Sequence, residues 1–222
     1  MSEILVASGN LHKIKEMQAI LAPHGIRLMA PHEIGGIPEV IEDGASFAEN
    51  AIKKALETAR ATGRKVLADD SGLEVEALGG EPGIYSSRYA GEGGNDGRNV
   101  QKLLLKLQEC NNRRARFVCI IAVATPDGLV GTAEGEIKGQ ISQTPAGSGG
   151  FGYDPVFIPD GFQNTFAELD EECKNRLSHR ANALQAALQK GFLTTNHTNR
   201  HEKISWQARH IRAEKATSMK FF

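Results

Sequence analysis

Two adjacent carboxylates, Asp69 and Asp70, follow an apolar run in the segment LADDSGLEV. The run predicts a strand at 65–69, and α/β folds bind ligands beyond the carboxyl ends of strands. Because successive strand residues face opposite ways, only one of the two carboxylates can face a cleft. That one could bind a metal ion or accept a proton from water. An Asx turn closing a loop would use the same residues, so both interpretations stay open here.

A second polar segment, ASGNLHK, holds Ser8, Gly9, Asn10 and Lys13 where a predicted strand passes into a predicted helix. Unpaired N–H groups and the helix dipole favour an anion at such a junction, and Lys13 lies one turn inside the helix. The spacing does not fit GxxxxGK[ST], which excludes a P-loop kinase. A capped helix with a surface lysine would have the same composition.

Glu42 lies just before a helix whose start is marked by a capping box, with Ser46 followed three residues later by Glu49. A loop carboxylate beside a phosphate site can hold Mg²⁺, which prefers oxygen ligands. Lys53 or Lys54 on the same helix could contact the phosphates. A solvated acidic loop is the alternative for this segment.

The stretch GSGGFGYDP combines glycines at 147, 149, 150 and 152 with two aromatic side chains and one acid. Bare backbone allows a planar ligand to approach without Cβ clashes, and Phe151 could stack on it. Asp154 could accept hydrogen bonds from a base or a sugar. A hinge with a buried phenylalanine would also explain the stretch.

A basic segment, CKNRLSHRANAL, adds Lys174, Ser178, His179 and Arg180. In one continuous helix, Lys174 and Ser178 share a face. Donors placed near a base would select a 6-keto purine, because a carbonyl accepts hydrogen bonds where the amino group of adenine cannot. An ordinary basic helix surface is the alternative.

Predicted strands and helices alternate around these segments, as expected for an α/β fold. One long hairpin interrupts the alternation, with two β-rich arms around the turn TPDG. A mixed sheet with surrounding helices, in two lobes with a cleft, accommodates both patterns. The last helix is predicted to run unbroken through AELDEECKNRLSHRANALQAALQ and to end at Gly191.

Composition limits the class of protein. The 222 residues have a net charge of −1, which argues against a protein that binds nucleic acid over its whole surface. The three cysteines form no CxxC pair, so a zinc site or disulfide framework is not expected. No apolar run has the length of a membrane span and no leader is evident. We therefore expect a cytoplasmic protein with no membrane partner.

Five segments occur in order: SGNLHK, SFAENAIKKA, ADDSGLEVEALGGEPGIYSSRYAG, GSGGFGYDPVF and KNRLSHRANAL. Together they resemble the inosine triphosphate pyrophosphatase family of bacterial dITP/XTP pyrophosphatases, over residues 8–184. The resemblance implies a two-lobed α/β fold with a long twisted mixed sheet, a central cleft and a homodimer. It also implies Mg²⁺-dependent hydrolysis of ITP, dITP or XTP to the monophosphate and pyrophosphate.

The resemblance carries over to individual positions. It implies that Glu42 and Asp70 bind the metal and that Asp70 also accepts the proton of the attacking water. The residues implied to contact substrate are Ser8, Gly9, Asn10, Lys13, Lys53, Ser71, Phe151, Gly152, Tyr153, Asp154, Lys174, His179 and Arg180. The predicted catalytic domain is 1–191, and the basic extension 192–222 is expected to be disordered or an oligomer contact.

Three alternatives remain at this point. A pyrophosphatase of the Maf type would act on pyrimidine or other modified nucleotides, but the SHR and FGYD segments disfavour this assignment. A catalytically silent sensor of ITP or XTP is disfavoured by the acids Glu42 and Asp70. A nucleic-acid binder is supported only by the basic extension, and no stable nucleic-acid complex is expected.

Overall fold

The computed structural model describes residues 2–91 and 93–193. Most of the predicted extension, residues 194–222, lies outside the described residues. Phe192 and Leu193 pack against the core formed with the last helix, so the folded domain reaches two residues beyond the predicted boundary. Among the described helices, none is both long and apolar enough to cross a membrane.

Within residues 2–91 and 93–193, six strands form one mixed sheet in the order β2-β1-β3-β4-β5-β6. Strand β1 is parallel to β2 and β3, and the pairs β3–β4, β4–β5 and β5–β6 are antiparallel. The predicted mixed sheet is therefore confirmed. The strands are β1 (Ser2–Val6), β2 (Ile26–Met29), β3 (Val66–Val75), β4 (Arg114–Thr125), β5 (Gly128–Ile141) and β6 (Phe157–Pro159).

Five α-helices in the described part of the chain flank the sheet: α1 (Leu11–Leu21), α2 (Phe47–Thr62), α3 (Asp96–Lys106), α4 (Glu171–Leu177) and α5 (His179–Gln189). Short 3₁₀ segments lie at Ala22–His24, Pro31–Ile34, Glu76–Leu78, Gly83–Arg88 and Asp154–Val156. Half of the capping box predicted for α2 is present, since Ser46 Oγ accepts from Glu49 N–H. The Glu49 side chain accepts from Ala45 N–H and not from the N–H of Ser46. The tight turn predicted at TPDG joins β4 to β5.

Strand β3 is twice as long as predicted. It pairs with β4 at all ten positions, including Asp70 opposite Ile120, so the ADDSG segment lies inside a strand and not in a turn. The Asx-turn interpretation is therefore wrong. Gly72 is needed there, because a Cβ at this position would lie 2.5 Å from Gly83 O and from Ser86 Oγ.

The predicted continuous C-terminal helix breaks at Ser178, which has extended backbone angles of φ −63° and ψ 156°. Its N–H closes α4 on Lys174 O, while its Oγ caps α5 by accepting from Ala181 N–H. Ser178 therefore does not share one helical face with Lys174. The break places His179 and Arg180 in the first turn of α5.

Three apolar clusters hold these layers together. One lies between the sheet, α1 and α5, and contains Leu67 and Cys119. A second lies on the other side of the sheet beneath α2, and contains Ala68. The third surrounds α3 and the far ends of β3–β5, and contains Leu73. The alternation of β3 residues between the first two clusters decides which way Asp69 and Asp70 point.

The outer edge of β5 has a strand neighbour only at 139–141, where β6 pairs with it. Three of its outward carbonyls accept hydrogen bonds from other elements. Lys190 Nζ donates to Thr132 O, Asn182 Nδ2 to Glu136 O, and Asp160 N–H to Lys138 O. Side chains at the two ends of α5 thus occupy hydrogen-bonding positions that an added strand would need.

Candidate active site

A cleft of about 500 Å³ brings together every predicted site residue except Lys53. Its lining comes from the β1–α1 junction, the loop before α2, the middle of β3, the glycine-rich loop before β6 and the start of α5. Motifs more than 100 residues apart in the sequence therefore meet in one cavity. Its size suits a nucleotide-sized ligand.

The β1–α1 junction forms one end of the cleft. Asn10 caps α1, with its Oδ1 accepting from the N–H groups of His12 and Lys13. Ser8 Oγ in turn accepts from Asn10 N–H. Gly9 has open space where a Cβ would lie. This end of α1 is shaped for an anion that approaches the backbone closely.

Asp69 points toward α1 and α5 and is fully ion-paired. It lies 3.0 Å from Lys13 Nζ and 3.3 Å from Arg180 Nη2, and it accepts from Ser71 Oγ at 3.1 Å. Burial alone would raise the pKa of Asp69, but the charges of Lys13, Arg180 and Lys54 outweigh burial and hold the pKa well below its usual range. Asp69 is thus an ionised structural anchor for two cleft cations.

Asp70 points to the opposite side, toward α2, as the strand alternation requires. Lys54 Nζ is 3.6 Å from its Oδ1, and a hydrogen bond links it to Asn50. Its Oδ2 is buried and has no hydrogen-bond partner among the described residues. Burial raises the pKa of Asp70, Glu42 raises it further, and Lys54 opposes both. A carboxylate with a free oxygen and a raised pKa suits proton acceptance or metal binding.

The helical lysine that faces the cleft is Lys54 and not Lys53. Lys54 Nζ donates to Glu42 Oε1 at 2.9 Å, whereas Lys53 pairs with Asp43 on the outer surface at 2.6 Å. The prediction for Lys53 is therefore not supported. Burial lowers the pKa of Lys54, but Asp70, Asp69 and Glu42 outweigh it, so the pKa is raised and the side chain stays charged.

Sequence reasoning also missed Asn50 and Thr58, which lie one turn before and one turn after Lys54 on the same face of α2. Thr58 lines the cleft, and its buried Oγ1 lacks a partner within the described part of the chain. The signal was present in the sequence. Alanines at 51, 55 and 59 mark the inner side of the helix, and residues 50, 54 and 58 precede them at the same spacing.

Glu42 and Asp70 are the two carboxylates linked by Lys54 in the cleft. Within residues 2–91 and 93–193, His, Cys, Asp and Glu side chains form no group of three or more suited to holding a metal ion. This donor set fits Mg²⁺, which is commonly held by one or two carboxylates while water and substrate phosphates complete its shell. The unpartnered Asp70 Oδ2 leaves an oxygen available for it.

The glycine-rich loop forms the other end of the cleft. Asp154 accepts from Phe151 N–H at 2.8 Å and pairs with Lys174, which fixes the loop around the Phe151 ring. Gly150 has φ of +71°, and a Cβ there would lie 2.0 Å from Asp154 Oδ2. Tyr153 donates its hydroxyl to Ser86 O at 2.9 Å, so that hydroxyl is already used inside the fold.

His179 and Arg180 face the cleft from the first turn of α5. The His179 ring stacks on Phe117 at 4.7 Å, and its Nδ1 is unpartnered among the described residues. Burial lowers the pKa of His179, as do the charges of Arg180 and Lys174, so the imidazole is neutral near pH 7. A neutral ring with an open nitrogen can donate or accept one hydrogen bond to a ligand.

Buried ion pairs connect the two ends of the cleft. Glu16, which the sequence analysis did not single out, pairs with both Lys174 and Arg180. The resulting chain of alternating charges runs through Lys13, Asp69, Arg180, Glu16, Lys174 and Asp154. It fixes the cations of the cleft before any ligand arrives.

Comparison with known proteins shows the family. Residues 4–190 match the Ham1 family model. The dITP/XTP pyrophosphatase of Desulforamulus reducens is 49% identical over 189 residues, which is 84% of this chain and 94% of that protein. The dITP/XTP pyrophosphatase of Bacillus subtilis is 46% identical over 187 residues, covering 83% and 94% respectively.

Solved structures agree in fold. A HAM1 protein from Coxiella burnetii superposes with a TM-score of 0.77 at 40% identity, covering 86% of this chain and all of that one. The Ham1 protein of Staphylococcus aureus gives 0.75 at 43% identity, covering 86% and 99%. The sequence match over nearly the whole described domain and the shared fold lead to one conclusion: this chain belongs to the Ham1 family.

Proposed function

We propose that the protein hydrolyses noncanonical purine nucleoside triphosphates, namely ITP, dITP and XTP, to the monophosphate and pyrophosphate. The observation that carries the proposal is Asp70, a buried carboxylate with a raised pKa and a free oxygen. It lies in the same cleft as a helix start suited to phosphates and a ring suited to a base. The relatives named dITP/XTP pyrophosphatases support this substrate class.

Asp70 accepts a proton from the water that attacks the α-phosphorus, because it can hold that proton more readily than an ordinary aspartate. Lys13, Lys54 and the N–H groups at the start of α1 stabilise charge on the leaving pyrophosphate. Glu42 and Asp70 would hold Mg²⁺, which when bound would supply charge neutralisation and a more acidic water. Ser8, Gly9 and Asn10 shape the phosphate site.

At the base end, the purine stacks on Phe151 while Lys174, His179 and Arg180 present donors to its carbonyl. Lys174 and the terminal nitrogens of Arg180 are already ion-paired, but His179 Nδ1 and Arg180 Nε are buried without a partner among the described residues. A base without the 6-keto group would leave these two nitrogens unpaired. Gly152 permits close approach of the ligand, and Asp154 positions both Phe151 and Lys174. Ser71 Oγ, held between Asp69 and Arg180, completes the substrate contacts.

Pyrophosphate release from ITP, XTP, ATP and GTP, each with Mg²⁺ and with EDTA, tests the proposal. We expect metal-dependent turnover of ITP and XTP about 100-fold above ATP, equivalent to about 2.7 kcal/mol. Guanine also has a 6-keto group, so discrimination against GTP must come from its 2-amino group. Binding of ITP without hydrolysis would instead show a sensor. Equal turnover of all four nucleotides would contradict the assignment of the base site.

We also propose a cytoplasmic homodimer, on the family resemblance. Sedimentation equilibrium of the full chain tests the assembly, because a single species at the protomer mass of 24.0 kDa would contradict it.

A further inference from the structure

His12 contacts the ring proposed to stack on the base, although it is not among the predicted contact residues of its motif and does not line the cleft. Its imidazole is stacked on Phe151, with ring centroids 5.5 Å apart and planes inclined by 20°. His12 is exposed on the first turn of α1, and Phe151 is half-buried in the glycine-rich loop. The contact therefore links the phosphate end of the cleft to the base end.

Phe151 lies on a loop whose neighbouring residues carry no side chains, because glycines occupy positions 149, 150 and 152. The hydrogen bond from Phe151 N–H to Asp154 fixes the backbone but not the ring. Besides the stack on His12, Lys174 Nζ and Arg180 Cζ lie 4.9 Å and 5.8 Å from the ring centroid. Contacts from other elements therefore help to orient the ring.

Phe151 lines the cavity, whereas His12 does not. The imidazole therefore packs against Phe151 from outside the cavity, and a base entering the cleft meets the phenyl ring from inside it. A ring that is already held on its outer side loses less conformational freedom when a base stacks on it. The entropic cost of binding the base is therefore lower.

We propose that His12 is a positioning residue for base recognition, supporting Phe151 from outside so that its ring is already oriented when a purine stacks on it. This inference rests on the proposed function, since it concerns the base end of the same cleft. According to this proposal, His12 strengthens binding of the base and has no effect on binding of the triphosphate.

The test compares the variants His12→Ala and His12→Phe of the full chain with His24→Ala as control. His24 is an exposed histidine in the 3₁₀ segment that follows α1. In His12→Ala we expect the KM for ITP to rise about two- to tenfold, the range of an aromatic pair, with kcat changed less than about twofold. His12→Phe restores the wild-type KM because it retains the stack, and His24→Ala leaves the KM unchanged.

A ligand without a base separates this role from a general effect on α1. Inorganic tripolyphosphate is used as a competitive inhibitor, and its inhibition constant is expected to be equal in wild type and His12→Ala. An unchanged KM for ITP in His12→Ala overturns the proposal. A lowered KM also overturns it, because His12 would then cover the face that the base uses.

Two further results contradict the proposal: failure of His12→Phe to restore the KM, and equal weakening of tripolyphosphate. If the wild-type protein hydrolyses no ITP, the proposed function fails by itself. Calorimetric measurement of ITP binding to the same three variants then tests the role of His12 independently. The dissociation constants, relative to wild type, are expected to change by the same factors as those given for the KM.

Discussion

Asp69 and Asp70 are neighbours on β3 with opposite surroundings. Asp69 lies on the α1 and α5 side, where Lys13 and Arg180 pair with it and depress its pKa. Asp70 lies on the α2 side, where burial raises its pKa and one oxygen has no partner among the described residues. The same residue type thus serves structure on one side of the strand and remains available for chemistry on the other.

This contrast shows how the cleft divides its tasks. On the Asp69 side, each buried charge has a partner, which holds Lys13, Arg180 and Lys174 in position. On the Asp70 side, unsatisfied oxygens on Asp70 and Thr58 line the cavity. On the α5 side, His179 Nδ1 and Arg180 Nε also lack a partner among the described residues. Unpaired buried groups are costly to a fold, so these atoms on both sides of the cleft mark where a ligand completes the structure.

Replacing Asp70 with Asn should produce the largest change. We expect kcat for ITP to fall about 10²- to 10⁴-fold, because the proton acceptor is lost. Stability at neutral pH should not decrease, because a carboxyl whose pKa is raised on folding disfavours the fold once it is ionised. Pyrophosphate release and urea unfolding test both parts. Unchanged turnover would refute the role of Asp70 as the base.

Asp69→Asn should instead act on stability, costing about 3–5 kcal/mol because it leaves Lys13 and Arg180 without their shared carboxylate. A depressed pKa means that the stabilisation by Asp69 is full above its unfolded pKa and is lost as the pH falls below it. The variant should therefore lose stability less steeply on acidification than wild type. Urea titrations between about pH 3 and pH 7 measure this, and equal slopes would contradict the ion-pair account.

Lys54→Met tests the Asp70 side without touching the carboxylate. We expect kcat to fall about 100-fold, since a cation is lost from the leaving-group site. The acidic limb of the pH profile should move to higher pH, because Lys54 lowers the pKa of Asp70. Lys53→Met is the matched control and should match wild type. An effect of Lys53→Met as large as that of Lys54→Met would restore the original prediction for Lys53.

The smallest effect is expected at the solvent-exposed pair of Lys15 and Glu171, 2.7 Å apart. It joins α1 to α4, as the buried pair of Glu16 and Lys174 does. Lys15→Ala should cost less than about 1 kcal/mol, and the loss should disappear in high salt. Urea midpoints at low and high salt measure it. A cost comparable to that of Asp69→Asn would remove the distinction between exposed and buried pairs in this protein.

Local sequence patterns predicted most of the elements and several cleft residues, and the family resemblance supplied the full set. The side of α2 that faces the cleft was not predicted, since Lys53 and Lys54 differ only by a rotation of the helix that packing on the sheet decides. The full length of β3 depended on pairing with β4, whose paired residues lie 40 to 58 positions later in the chain. The break at Ser178 had a local signal, because serine is a preferred N-cap residue, but the apolar spacing continues across it.

The hydrogen bonds along the outer edge of β5 bear on how the chain is made. Two of the outward carbonyls are bonded by Asn182, which lies in α5, and by Lys190, which caps it. During synthesis, β5 leaves the ribosome 48 residues before α5 is complete, which at usual elongation rates is a few seconds. A chain stalled in that interval would present an uncovered strand to its neighbours on a polysome. Completion of α5 therefore covers this edge of β5 and prevents edge-to-edge association of the nascent domain.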